Sequence, residues 1–294
     1  MVRLQGTFVV IVTPFNDDDG VDFDGLSRNL EWYLENGVHG IIALGSTGEF
    51  ASLTEGERQA VGQHVMRHVG QRVPVVLGTA AETTRKSIEY TQFAADIGAS
   101  GVLIIPPWYF NPSQDEMIHH FQTIADNTTT PIMIYNNPGT SGVDLSLESV
   151  STLAKHQFIQ YIKESTGDIR RIRDIKRACG DSVVTFCGAD DLALESFQVG
   201  AEGWVSVIAN IFPKLASQLF EAAVVEKDVV TAASIYNRLL PMCEELEYSG
   251  KLVQVAKYFL ARQGFCRDTV REPRLGLDQD HCRRLDRIFA AVKG

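Results

Sequence analysis

The stretch 159-IQYIKESTGD-168 carries the pattern on which the reading of the whole chain turns. Ile159, Tyr161 and Lys163 alternate with Gln160 and Ile162, which is the period of a short strand. Glu164 to Gly167 make a polar turn, and Asp168 opens a helix to Cys179. Lys163 thus ends a strand and faces a loop. A charged ammonium among packed side chains is costly there unless it is paired or neutralised. From this stretch alone two readings stay open. One is a salt-bridged or snorkelling lysine. The other is an amine desolvated to lower its pKa, able to attack a carbonyl.

The strand–loop–helix unit repeats on both sides. Strands are predicted at Thr7–Thr13, Gly40–Leu44, Pro74–Gly78, Gly101–Ile105, Pro131–Tyr135, Ile159–Lys163, Ser182–Cys187 and Gly203–Val207. Helical spacing falls between them at Phe23–Asn36, Thr54–Val69, Thr83–Ile97, Ser113–Asn127, Leu147–Lys155, Asp168–Cys179 and Asp190–Val199. Thr54 with Glu57, and Ser113 with Glu116, form capping boxes. Eight strands alternating with helices predict an α/β chain with a (β/α)8 TIM barrel. A doubly wound sheet would carry a Gly-rich first turn, and Pro14-Phe15-Asn16-Asp17 is not one. The barrel strands and first seven helices are expected in 1–212. The last barrel helix and a C-terminal helical extension are expected in 213–294, with helical spacing at Leu215–Val225, Val229–Leu246 and Leu252–Arg262.

Composition narrows the partners. A net charge of −10 argues against nucleic acid and anionic membranes, but leaves room for a small anionic substrate at a local site. No apolar run approaches a membrane span, and the opening Met1-Val2-Arg3-Leu4-Gln5-Gly6 lacks a signal region. Five scattered cysteines with no Cys-x-x-Cys pair suit reduced thiols, so a cytoplasmic protein is expected.

In such a barrel chemistry sits where strands end. Those ends gather Gly45-Ser46-Thr47-Gly48-Glu49, Tyr135-Asn136-Asn137-Pro138, Lys163 and Gly188-Ala189-Asp190. The Gly-Ser-Thr-Gly loop offers N–H groups and hydroxyls suited to a carboxylate. Amine, phenol and carboxylate cradle together suit a 2-oxo acid.

These motifs, in this order, resemble the dihydrodipicolinate synthase / N-acetylneuraminate lyase family of Schiff-base class I aldolases. The likeness begins at Gly6-Thr7 and Thr13-Pro14-Phe15 and runs to Arg271-Glu272-Pro273. It implies that Lys163 forms an imine with the 2-oxo group and that Tyr135 shuttles protons. Ser46, Thr47 and Gly48 would cradle the carboxylate, with the Thr47 hydroxyl bonded to that of Tyr135. Gly188 and Val205 would line the pocket floor, and Tyr109 would enter a neighbouring subunit's site. A homotetramer built as a dimer of dimers is implied, with neither cofactor nor metal. The exposed-looking cluster Trp108-Tyr109-Phe110 agrees with an oligomer.

The chain departs from the synthases at Thr140, where they carry an arginine for the second substrate's carboxylate. A threonine supplies no cationic fork. This loop looks more like those of sugar-acid lyases and dehydratases, so a neutral hydroxylated chain such as that of a 2-keto-3-deoxy acid is expected. Thr140 then lines the second half of the pocket. Arg170 or Arg171 would be the substitute should a cation be needed. Two classes remain: an enzyme of this family, or a sensor that kept the pocket and lost turnover. Both Lys163 and Tyr135 favour the enzyme.

Other polar groups carry less. His64 and His68 lie four apart but lack the glutamate of His-Glu-x-x-His, and His119-His120 is expected to straddle a helix surface. Asp17-Asp18-Asp19-Gly20 looks like a calcium loop, but Phe15 stands where a ligating acid is required, and a solvated turn is expected.

Overall fold

Eight short parallel strands pair in chain order and close on themselves, β8 returning to β1. They are β1 (Gly6–Val10), β2 (Gly40–Ala43), β3 (Val75–Gly78), β4 (Gly101–Ile104), β5 (Ile132–Asn136), β6 (Ile159–Glu164), β7 (Val184–Cys187) and β8 (Gly203–Ser206). This computed structural model describes residues 3–293. Met1 and Val2, the start of the stretch read for a signal, lie outside them, as does Gly294.

The helices of the barrel are α1 (Phe23–Glu35), α2 (Glu55–Val69), α3 (Thr84–Asp96), α4 (Gln114–Asp126), the single turn α5 (Pro138–Ser141), α6 (Leu147–Leu153), α7 (Ile169–Cys179), α8 (Ala193–Gln198) and α9 (Pro213–Phe220). Both capping boxes form as the sequence predicts, Thr54 with Glu57 and Ser113 with Glu116. Three further helices follow: α10 (Val229–Tyr248), α11 (Leu252–Arg262) and α12 (Gln279–Lys293). The predicted (β/α)8 barrel with a C-terminal helical extension is therefore the fold.

The barrel is filled by rings set against glycines. Phe8 lies in register with Gly40, and Phe186 with Gly203. A Cβ on either glycine would stand 2.2 Å from the neighbouring ring, so only glycine leaves room. Phe8 meets Phe186 edge to face at 5.4 Å, and Tyr161 meets Phe186 at 6.1 Å. These aromatic contacts close the interior. Lys163 is two residues beyond Tyr161, so strand alternation points it to the same inner side, one layer nearer the barrel mouth.

Several boundaries differ from expectation. β1 stops at Val10 instead of running to Thr13. Ile11 to Thr13 stay buried, but the Thr13 hydroxyl donates to the Gly48 carbonyl at 2.7 Å, so this end of the run serves a loop. The helix expected from Asp190 begins as a 3-10 turn, Asp190–Leu192, because the Asp190 carboxylate turns inward to accept N–H groups of Val207 and Ile208. The helix expected over Leu215–Val225 is α9 followed by a π turn, Glu221–Val225. α12 was not assigned from the sequence. Its polar face hides an anchoring one, where Leu285 and Val292 are buried and Phe289 stacks on Phe212 and Phe259 at 5.0 and 4.7 Å. Among the described residues no helix is long and apolar enough to cross a membrane.

Candidate active site at the barrel mouth

Tyr135 and Lys163 are register partners at the ends of β5 and β6. Strand alternation turns both inward, and the Lys163 Nζ sits 3.9 Å from the centroid of the Tyr135 ring. Lys163 is only 6% exposed, yet among the described residues no carboxylate approaches it within salt-bridge distance. The salt-bridged reading of this lysine therefore does not hold. The alternating neighbours hold the pair in place from behind. Asn136 donates to Glu164 at 3.1 Å and to Asp144 at 2.9 Å, and accepts the Leu145 N–H at 3.0 Å. Burial raises the Glu164 carboxyl, and bonds from Thr166 and Asn136 pull it back down.

The Tyr135 hydroxyl accepts a hydrogen bond from the Asn137 amide at 2.9 Å. The expected link from Thr47 to Tyr135 does not form among the described residues: Thr47 is buried, and the partner of the Tyr135 hydroxyl is Asn137. Asn137 also caps the α5 turn, accepting the Thr140 N–H at 3.2 Å. The phenol and the loop that carries Thr140 are thus tied through one side chain.

The loop Gly45–Glu49 is bracketed by two non-glycine residues in the left-handed region, Leu44 (φ 60°) and Glu49 (φ 54°). Such positions cost on the order of 1–3 kcal/mol each and persist only when their surroundings hold them. At Leu44 the hold is Gly78, where a Cβ would meet the Leu44 carbonyl oxygen at 1.9 Å. At Glu49 the hold is charge. The carboxylate accepts from the Lys257 Nζ at 2.6 Å and from the Arg271 N–H at 3.2 Å. Between these supports lie Ser46, partly exposed, and Thr47 and Gly48, both buried.

Beside this loop is a cavity of about 140 Å³ lined by Ser46, Phe50, Ile105, Trp108, Thr140 and Arg274, with Glu49 behind it. The expectation that the Thr140 side holds no cation is corrected here. Arg274 reaches it from the segment after α11. Neither suggested substitute is available: Arg170 is paired with Asp168 at 2.8 Å, and Arg171 is bound to the Leu145 carbonyl at 2.5 Å and to Asp144 at 3.3 Å.

Gly188 follows β7 and touches the lysine: a Cβ there would stand 2.8 Å from Lys163 Cε. Val205 is buried on β8, in register with Phe8. Asp190, between them in sequence, is buried, and its carboxyl is raised by desolvation and then by the charge of Glu247. Glu247, on α10, accepts the Asp190 N–H at 2.8 Å. Tyr109 is not brought to Lys163 within one chain: it is 86% exposed, its N–H donating to Glu82 at 3.3 Å. His120 is buried rather than on a helix surface and pairs with Thr84 at 2.9 Å. His64 and His68 stack on each other and bind Ser27 and Glu31. Asp19 pairs with Arg271 at 3.2 Å.

Sequence reasoning placed Glu49 and Asn137 at strand ends without giving them a role, and missed Lys257 and Arg274. One signal for Lys257 was present: Val253, Ala256, Lys257 and Leu260 follow the apolar spacing of α11, which puts a lysine on a buried face. Arg274 sits in irregular chain and has no local signal.

A closed parallel barrel with an unpaired amine beside a phenol at its mouth defines a class, the (β/α)8 lyases of the Schiff-base aldolase type. Within that class the chain belongs to the dihydrodipicolinate synthetase family, whose sequence model matches residues 3–292. A relative from Bartonella bacilliformis, named 4-hydroxy-tetrahydrodipicolinate synthase, is 37% identical, with 92% of each chain covered. The structure of the enzyme of that name from Methylacidiphilum fumariolicum SolV superposes with a TM-score of 0.95 at 32% identity, covering 99% of this chain and 96% of that one. The chloride-inhibited dihydrodipicolinate synthase of Acinetobacter baumannii, solved with pyruvate, gives 0.95 at 33% identity, covering 99% of both chains.

Proposed function

We propose that the protein forms an imine between Lys163 and the 2-oxo group of pyruvate or a related 2-oxo acid. The imine is then used to make or break a carbon–carbon bond or to eliminate water. The observation that carries the reading is the buried amine of Lys163 set 3.9 Å from the Tyr135 ring, with no carboxylate within salt-bridge distance among the described residues. The neutral amine attacks the 2-oxo carbon, forming a C–N bond. The former carbonyl oxygen takes up protons and leaves as water, giving an iminium. That cation draws electrons from C3, which makes C3 acidic and the C3–C4 bond labile. Tyr135 moves the protons, its hydroxyl aimed by Asn137. Ser46, Thr47 and Gly48 hold the 2-oxo acid's carboxylate, and Gly188 and Val205 shape the floor. No cofactor or metal takes part in this scheme.

Two substrate readings compete for the second half. Thr140 without a cationic fork favours 2-keto-3-deoxy sugar acids. Arg274 in the same cavity, together with relatives named 4-hydroxy-tetrahydrodipicolinate synthase, favours condensation of pyruvate with aspartate semialdehyde. A homotetramer, with Tyr109 of one subunit entering the site of another, agrees with the exposure of Tyr109 and Phe110, at 86% and 56%. Free cysteines agree with a cytoplasmic location.

Borohydride reduction with pyruvate tests the core of the proposal. A pyruvate-derived mass on the peptide containing Lys163 is expected, and an adduct on another lysine refutes it. Side-by-side turnover of 2-keto-3-deoxy acids and of pyruvate with aspartate semialdehyde decides between the substrate readings. Absence of turnover on every 2-oxo acid would instead favour a sensor.

A further inference from the structure

We propose that Arg274 recognises a carboxylate on the second half of the substrate, in the cavity it shares with Ser46 and Thr140. The inference rests on Lys163 being the imine-forming amine and adds the charge of the chain beyond it.

The cavity is small and one cation lines it. At about 140 Å³ it has room for roughly four waters, or for a carboxylate with two or three carbons. Phe50, Ile105 and Trp108 make its walls largely apolar, which weakens screening of any charge inside. Glu49 is the acid behind it, but that carboxylate is already bound by Lys257 at 2.6 Å and by the Arg271 N–H. The Arg274 Nη1 lies 3.7 Å from Glu49, near enough for attraction and too far for a hydrogen bond. Among the described residues Lys257 and Arg274 both face the Glu49 carboxylate, and neither has another acid within salt-bridge distance. Among the described residues the Arg274 guanidinium makes no hydrogen bond, so its fork of donors is free for a planar anion. Thr140, which carries no charge, lines the same cavity. The position that lacks a cation in the chain order is supplied with one from far along the sequence.

The test compares 2-oxo acids that differ only at the distal end. Half-saturating concentrations for borohydride trapping on Lys163 are measured for 2-oxoglutarate, 2-oxoadipate and 2-oxopimelate against 2-oxo monocarboxylates of the same lengths, which lack only the distal charge. At least one dicarboxylate is expected to half-saturate at a concentration tenfold or more below its monocarboxylate counterpart. Arg274→Ala should erase that preference, and Arg274→Lys should keep part of it. The readout in each variant is the ratio of dicarboxylate to monocarboxylate half-saturation, which a general loss of binding does not move. An unchanged ratio in Arg274→Ala, or no preference in the unmodified protein, overturns the assignment. If pyruvate gives no adduct on Lys163 at all, the imine reading fails first, and this inference falls with it.

Discussion

Glu49 and Lys257, 208 positions apart, meet as an ion pair of 2.6 Å with neither side chain reaching solvent. Glu49 ends the loop that carries Ser46 and Thr47, and Lys257 lies on α11. Burial lowers the Lys257 amine and Glu49 raises it again, so the pair depends on its own geometry to stay ionised. Lys257→Met should destabilise the protein by about 3–5 kcal/mol, because a buried carboxylate loses its main partner. Denaturant unfolding reads the loss. Glu49→Gln in the same chain should recover part of it, and no recovery would show that the pair does not carry the effect.

Tyr135→Phe removes the hydroxyl and keeps the ring against Lys163. Turnover on the best 2-oxo acid is expected to fall by ~10²–10⁴, while pyruvate trapping at saturation remains. A fall in both by the same factor would place Tyr135 in support of the amine rather than in proton transfer.

Gly188→Ala pushes directly on the lysine. The added carbon would stand 1.9 Å from the Ser165 Oγ and 2.8 Å from Lys163 Cε, so both must move. Overpacking of this kind costs about 1–3 kcal/mol. The rate of pyruvate trapping should drop at least tenfold, with a lower melting temperature. An unchanged trapping rate would mean that Lys163 has slack the structure does not show.

Acid should loosen the C-terminal segment through Glu57. The Arg271 guanidinium beside it holds the Glu57 carboxyl down to about 2, against an ordinary 4.5. The unfolded chain binds a proton near 4.5 while the folded one resists until about 2, so unfolding takes up a proton in that window. The stability is present above pH 4.5 and lost as pH falls toward 2. Melting temperatures at pH 6 and pH 3 should differ less in Glu57→Gln than in the unmodified protein. Parallel curves would refute the assignment.

The legible part of the molecule is the part whose signals are local. β-branched runs closed by Pro14, Pro106 or Gly188 mark strand ends, and strand ends are where a barrel places its site, so Lys163, Tyr135 and the Gly45–Glu49 loop could be found without coordinates. α12 was invisible because its buried face amounts to little more than Leu285, Val292 and a stacked Phe289 within a charged stretch. The Asn137 bond to Tyr135 competed with a hydroxyl pair that fits the sequence equally well. Arg274 could not be found at all, since its place depends on how irregular chain returns over the barrel mouth.

That return has a consequence for the order of synthesis. A nascent chain that has emerged through β8 already holds Lys163 and Tyr135, but Glu49 has nothing to bind until Lys257 leaves the ribosome. The Gly45–Glu49 loop is therefore made early and tied down late. Products that end before Lys257 would carry Lys163 and Tyr135 without the buried ion pair that holds this loop. The loop thus takes its final shape only after the barrel strands have been made.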